Sequence, residues 1–419
     1  MLTLTSPLLH VMPRSAMLKR FFAVAASSVL WTQSQSSLHC NAFAIGTPTS
    51  LEKRTTTADA DLLRTVAYRA MNVHVGGVDV PVAMWYSEYA TKDPMLRNVA
   101  KLPVGQRPTV NGKLTYKHKI SIQRIGQLLA GWEFIPSFAT KEFRLQPTLS
   151  SVVDGDCIDL PSCGPVVLLA HGYLGSRFDL SHLAEALAIE GRTHASQFVI
   201  VHHPARNSDP HLRLVGFICL SPEYPESLAA SYDIANLDRT QINDQLLKTL
   251  TTQWNIRPAS FGIVGHSLGT GTALNTGDDT WARVCIAGFP RRRDGSKVEG
   301  NVMFIVSSND STFSRNGGKY LIPDDFAMLT ESEIPQHIPP RAALLFDGPG
   351  APNHISFLAG GVNNAMVSFL SPLLPLAQAM KIPVLDFDKY AKSQDSRETA
   401  AIVIPWVTGY LKQQMKVSS

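Results

Sequence analysis

The chain has 419 residues, of which 44% are apolar and 17% charged, and a formal net charge of +4. This suits one large α/β domain or two ordinary ones and excludes wholesale disorder. Arg14, Lys19 and Arg20 carry three of the positive charges and no acid precedes Glu52, so the remainder is near neutral, which argues against a nucleic-acid-binding surface.

The first segment reads as a leader. A basic start is followed by the apolar run "FFAVAASSVLW" (21–31), the pattern of a secretory signal too short to span a membrane and stay there. Cys40 and Ala42 place small residues at −3 and −1 if cleavage precedes Phe43. The next stretch, "FAIGTPTSLEKRTTT", is hydroxyl-rich and weakly basic like a transit peptide, and the "NAFA" junction resembles the bipartite plastid leaders of algae with complex plastids. The expectation is a cleavable leader over about residues 1–55, with the secretory pathway as entrance and the plastid or the outside as destination. Residues 56–419 are expected to form one catalytic domain. No run of 18 apolar residues occurs outside the leader, so no spanning helix is expected.

Two β-rich runs, within 63–86, flank Gly76-Gly77 and read as a hairpin; residues 90–115 read as loop. "PVVLLAHG" (165–172) has the continuous apolar character of a buried parallel strand. Leu180, Leu183, Ala184 and Leu187 fall on one face of an amphipathic helix. "FVIVHHP" (198–204) predicts a strand, 205–235 an irregular Pro- and Ser-rich segment, and 240–250 a helix. "SFGIVG" (260–265) is a strand running into a helix at 268–275. "ARVCIAG" (282–288), "NVMFIV" (301–306) and "AALLF" (342–346) are further strands, and the tail is a closing helix with Pro405 as a kink or break. Strands alternating with helices predict a doubly wound, mainly parallel sheet with helices on both faces.

Gly265-His266-Ser267-Leu268-Gly269 stands where a strand turns into a helix. By composition alone G-x-S-x-G occurs in about one chain of this length in seven; the buried strand before it and the small-residue helix after it make it a nucleophile elbow. Glycine is wanted two residues either side of the serine because side chains there collide with strand and helix. A serine hydroxyl needs a base, and in such folds the acid and then the histidine follow it in sequence. Only His337 and His354 remain; His354, in the loop "GPGAPNHISFL" after a strand, is the candidate base, whereas His337 precedes that strand. Asp310, just past "VMFIV", is the candidate acid, in preference to Asp294, Asp324, Asp325 and Asp347. The oxyanion donors are expected to be the N–H groups of Leu268 and of Tyr173, in the loop opened by Gly172, with His171 supporting that loop and His266 beside the nucleophile. His202 and His203 read as packed strand-end histidines. Cys219 and Cys285 read as buried thiols, and Cys157 and Cys163 flank "IDLPS" at a spacing that permits a small-loop disulfide. No Cys/His spacing suits zinc.

"AHGYLGSRFDLSHLAEALA", "LDRTQINDQLL", "GIVGHSLGTGTAL" and "PNHISFL" resemble the α/β-hydrolase esterases that group platelet-activating-factor acetylhydrolases with dienelactone-hydrolase-like proteins. The resemblance implies an α/β-hydrolase fold and a metal-free, cofactor-free serine ester hydrolase, with Ser267 as nucleophile, Asp310 as acid, His354 as base and Gly172-Tyr173 as oxyanion loop. It implies a small-molecule or lipid ester as substrate, with peripheral membrane contact if a lipid, and no nucleic acid. Dienelactone hydrolases proper use cysteine where Ser267 stands. Chlorophyllases are a second reading, but they usually carry arginine where this chain has Leu268. Acyl transfer on the same machinery is a third, and a non-catalytic binding protein on the same fold a fourth. The segments 205–235 and 320–336 are expected to form walls or a lid.

Overall fold

The computed structural model describes residues 66–87, 114–130, 140–148, 152–157, 160–190, 216–229, 234–288, 298–310, 322–331, 334–370 and 394–417. The leader, the "FVIVHHP" strand with His202 and His203, the loop 90–113 and Asp294 lie outside the described residues. The chain divides into two units, Met1–Thr55 with Met366–Phe387, and Thr56–Ala365 with Asp388–Ser419. The described part of the first is the end of one helix; every described strand and all the remaining helices belong to the second.

Strands β1 (Val66–Val75) and β2 (Val78–Ser87) form an antiparallel hairpin in which Val75 pairs with Val78. The two-residue turn needs positive φ twice, and Gly76 (φ 56°) and Gly77 (φ 87°) supply it without a Cβ clash. A separate pair, β3 (Tyr116–Ser121) and β4 (Thr140–Leu145), brackets helix α1 (Ile122–Ala130). The main sheet continues with β5 (Val152–Asp154), β6 (Cys163–Ala170), β7 (Ile218–Pro222), β8 (Arg257–His266), β9 (Ala282–Ile286), β10 (Asn301–Ser307), β11 (Ala327–Leu329) and β12 (Arg341–Phe346). Helices α2 (Ser181–Glu190), α3 (Arg239–Thr252), α4 (Leu268–Asn275), α5 (Gly360–Leu370) and α6 (Ser396–Gln414) complete the described α-helices.

Ten strands run in the order β11-β12-β10-β9-β8-β6-β7-β2-β1-β5. All pair in parallel except at β2, which is antiparallel to both β1 and β7. The side-chain period of two splits the core. Val166, Leu168, Ile263 and Phe304 share one apolar cluster with Ile242 and Leu246 of α3 and Ala273 and Leu274 of α4. Their neighbours Val167, Leu169 and Val264, equally buried, point to the other face, where α6 lies: a Cβ on Gly262 would sit 3.2 Å from Leu411. A mainly parallel sheet with helices on both faces and one reversed strand near an end is the α/β-hydrolase architecture.

Several local expectations gave way to tertiary context. Residues 218–222, expected to be irregular, form β7, a fully buried central strand joined to β6 and β2. The wall expected over 320–336 contains β11, the edge of the main sheet. Helix α2 is buried on almost every side, His182 and Glu185 included, rather than amphipathic. The small-loop disulfide that the Cys157 and Cys163 spacing permits is not formed, since Cys163 is a free thiol; Cys219 and Cys285 are free and buried.

Pro405 neither breaks nor ends α6. The carbonyl it leaves without a donor belongs to Ala401, which is exposed like Pro405, so water can satisfy it. An interior proline costs about 3 kcal/mol. Burying Trp406, Val407, Tyr410 and Leu411, at roughly 1.5–3 kcal/mol for each large apolar side chain, outweighs it.

Candidate active site

The centre of the sheet ends at Ser267. β8 delivers it, α4 begins immediately after it, and it adopts φ 55° and ψ −118°, a left-handed backbone that an L-residue holds only under constraint. The constraint is visible. Its N–H donates to Ile286 O (2.9 Å), and its carbonyl accepts from Thr270 N (3.0 Å) and Thr270 Oγ1 (2.7 Å). A Cβ on Gly265 would stand 2.1 Å from Gly269 O, and one on Gly269 would stand 2.0 Å from Ala170 O. Both obstructing atoms are backbone, so only glycine fits at either place.

β10 and β12 bring the other two groups to the same edge. Asp310 lies just past β10 and is 0% exposed. His354 follows β12 on a loop. Its Nδ1 is 2.9 Å from Asp310 Oδ2 and its Nε2 is 2.8 Å from Ser267 Oγ. With a carboxylate on Nδ1 the ring proton belongs there, leaving Nε2 free to accept from the serine hydroxyl. The competing histidine and acids stand apart: His337, Asp324 and Asp347 are exposed, and Asp325 pairs with Arg341 (2.8 Å).

The loop carrying His354 is held on both sides. Asn353 Oδ1 accepts from Ile355 N (3.0 Å) and Ser356 N (3.1 Å), Ser356 Oγ donates to Gln394 O (2.7 Å), and Asn309 Nδ2 donates to Ala351 O (2.9 Å). His266 Nε2 donates to the His354 carbonyl (2.9 Å), and burial with His354 alongside pushes the His266 pKa down to about 3, so it stays neutral. Asn353 and Asn309 escaped the sequence reading; the Asn-His pair ahead of a hydroxyl residue is the signal that could have marked the first.

The loop from His171 to Gly175 passes against the nucleophile: a Cβ on Gly172 would be 3.0 Å from Ser267 Cβ. The N–H groups of Tyr173 and Leu268 have no acceptor among the described residues. Their side chains are among the few large apolar ones that stand exposed, at 41% and 43%. Tyr173 Oη donates to the Leu128 carbonyl of α1, which ties the β3–α1–β4 insertion to this loop. Arg239, another residue the sequence did not single out, sits at the first position of α3. A capping box between Asp238 and Gln241 sets that first turn.

Asp179 links the two loops. Its carboxylate accepts from Ser176 N (2.9 Å) and its carbonyl from Ala359 N (2.8 Å). Complete burial raises its pKa to about 7. The folded protein therefore holds this proton more tightly than the unfolded chain. The stability this contributes is full below the ordinary carboxylate range and is lost as pH rises to 7 and beyond. Asp179→Asn keeps the acceptor for Ser176 N, and its melting temperature is expected to fall less between pH 5 and pH 8 than that of the wild type. Parallel melting curves for the two proteins would refute this.

Among the described residues no three His, Cys, Asp or Glu side chains form a metal-binding group, and no helix is long and apolar enough to cross a membrane. No protein-family model and no curated protein matches the chain. Solved structures do. A dienelactone hydrolase from Anabaena variabilis is 13% identical, covering 73% of this chain and 96% of its own, at a TM-score of 0.32. A dienelactone-hydrolase-like promiscuous phosphotriesterase from metagenomic libraries is 12% identical over 84% and 99%, at 0.36. An esterase of Pyrococcus furiosus is 11% identical over 90% and 100%, at 0.34. These likenesses are remote; the chemistry is carried by the side chains described above. The protein is an α/β-hydrolase-fold chain whose Ser267–His354–Asp310 network is that of a serine hydrolase.

Proposed function

We propose that the protein hydrolyses carboxylic esters of apolar small molecules, lipid esters included, through an acyl-enzyme on Ser267. The hydrogen-bonded line from Ser267 Oγ through His354 to Asp310 carries this reading. Ser267 Oγ attacks the ester carbonyl while His354 Nε2 takes its proton, and the charge gathering on the carbonyl oxygen meets the N–H groups of Leu268 and Tyr173. His354 then returns the proton to the departing alkoxide, which leaves as the alcohol. Water, activated by the same imidazole, splits the acyl-enzyme into carboxylic acid and free Ser267. Asp310 keeps the ring in the accepting tautomer and stabilises the imidazolium between the two transfers.

Two side chains at the site support an apolar substrate class. Tyr173 and Leu268 present apolar surface beside the nucleophile, which favours apolar over charged acyl groups. A phospholipid with a short sn-2 chain, met by peripheral contact with a membrane, is the lipid version of this reading. The leader-like residues 1–55 support delivery through the secretory pathway, with the plastid as one destination, and leave 56–419 as the catalytic domain.

A fluorophosphonate probe is expected to label Ser267 of the folded protein, and chromogenic esters graded in acyl length are expected to be cleaved faster as the acyl group becomes more apolar. No labelling in folded protein would overturn the esterase reading. Chlorophyll and added alcohols belong in the same panel: turnover of the first alone would favour the chlorophyllase reading, and new esters from the second would favour acyl transfer.

A further inference from the structure

The C=O of Gly172 and the N–H of Tyr173 belong to one planar trans peptide and point in opposite directions. Whatever holds that carbonyl therefore aims that N–H. The structure shows what holds it: His171 Nδ1 is 2.8 Å from Gly172 O, with Gly175 N–H as a second donor at 3.3 Å. The imidazole can do only this. Its Nε2 accepts from Tyr224 N (3.0 Å), which places the ring proton on Nδ1 as a donor. Nε2 is also 3.7 Å from Glu223 Oε1, but a nitrogen already accepting a backbone N–H carries no proton to share in an ion pair. Burial, with Arg239 nearby, holds the His171 pKa well below its ordinary value, so the ring is neutral.

The preceding peptide is clamped in the same manner. Arg239 Nη1 donates to His171 O (3.0 Å) and to Thr272 Oγ1 (3.0 Å), Nε donates to Glu226 Oε2 (2.9 Å), and the guanidinium lies 4.4 Å from the Tyr224 ring. Glu226 in turn accepts Leu174 N through its carbonyl (3.1 Å). Successive carbonyls of the loop are thus fixed by side chains, His171 O by Arg239 of α3 and Gly172 O by His171 itself, while Gly172 packs against Ser267.

We propose that the His171 imidazole is a positioning residue for the oxyanion site: by holding the Gly172 carbonyl, it turns the Tyr173 N–H toward the carbonyl oxygen of an ester attacked by Ser267. This rests on the esterase reading above. It assigns His171 a function carried by one atom, Nδ1, rather than general support of the loop.

Paired variants separate the two. In His171→Asn the side-chain amide reaches the place of Nδ1 and can still donate to Gly172 O. In His171→Gln the amide reaches the place of Nε2 and can still accept from Tyr224 N, but leaves Gly172 O with only the longer bond from Gly175 N–H. The Gln variant is expected to lose about 10²–10³-fold in kcat at little changed KM, the range for loss of an oxyanion donor, and the Asn variant to stay within about tenfold of wild type. The acid limb of the pH–rate profile is expected to stay in place for both. Affinity for a trifluoromethyl ketone, whose adduct carries an oxyanion, is expected to fall with kcat in the Gln variant. Equal losses in the two variants, rescue by Gln and not Asn, or a moved acid limb would overturn the proposal. The tautomer is checked without any variant: ¹⁵N chemical shifts of the wild-type histidines are expected to show His171 protonated on Nδ1, and an Nε2–H form would overturn the proposal even if neither variant folds. A wild-type protein that labels at Ser267 but tolerates His171→Gln would sink this role alone. One that fails to label would sink the esterase reading, and this role with it.

Discussion

Ser267→Ala is expected to abolish ester turnover, lowering kcat by about 10⁴–10⁶-fold, because the residual rate comes only from binding and the oxyanion donors. The fold should survive, since the elbow is held by Gly265, Gly269 and the hydrogen bonds of Ser267 N and O, none of which needs the hydroxyl. A second substitution isolates the backbone. At φ 55° and ψ −118° an alanine is as strained as the serine, whereas glycine is at ease there. Ser267→Gly should therefore be as inactive as Ser267→Ala and yet more stable than it by about 1 kcal/mol. Steady-state kinetics and thermal melts on both variants check this. An alanine variant with wild-type turnover would remove Ser267 from the mechanism, and a glycine variant no more stable than the alanine one would show that the positive φ stores no strain.

The next largest effect is expected at Asp310. Asp310→Asn preserves shape and can still offer an oxygen to His354 Nδ1, but it removes the negative charge that stabilises the imidazolium. If its amide nitrogen faces the ring instead, Nδ1 must accept, the ring proton moves to Nε2, and His354 confronts Ser267 Oγ as a donor that cannot take its proton. Either outcome lowers kcat, by about 10³–10⁴-fold, with KM changed far less. Because Asp310 is fully buried, solvent cannot supply a substitute charge. A loss under about tenfold in kcat would mean that the 2.9 Å contact with His354 is architectural.

How much of the fold and site was legible depends on how local the determining physics is. The Gly76-Gly77 hairpin was, because two positive φ values in a two-residue turn admit little else. The elbow was, because backbone atoms within five residues of Gly265 and the neighbouring β6 leave no room for a Cβ. Strand β7 was not. "ICLSP" is five residues among prolines and serines, and it is a strand only because β6 and β2 bond it on both edges. That α6 runs on through Pro405 was not legible either, because the decisive quantity is what its far side buries.

The active site divides along the same line. The order of serine, acid and histidine, each just past a strand, was written in the chain, since parallel strands place all such loops at one edge. The roles of His171 and Arg239 were not. A histidine beside a glycine has no readable tautomer until Tyr224 N arrives at one of its nitrogens, and an arginine opening α3 has no readable target until the fold carries it to the carbonyl of a residue 68 positions away. Sequence alone determined the tight turns, the buried strands of continuous apolar character and the identity of the reacting groups, because backbone sterics and apolar patterning act over a few residues. The tertiary structure decided which hydrogen bonds aim them, because hydrogen bonds are satisfied between whichever groups packing brings within about 3 Å.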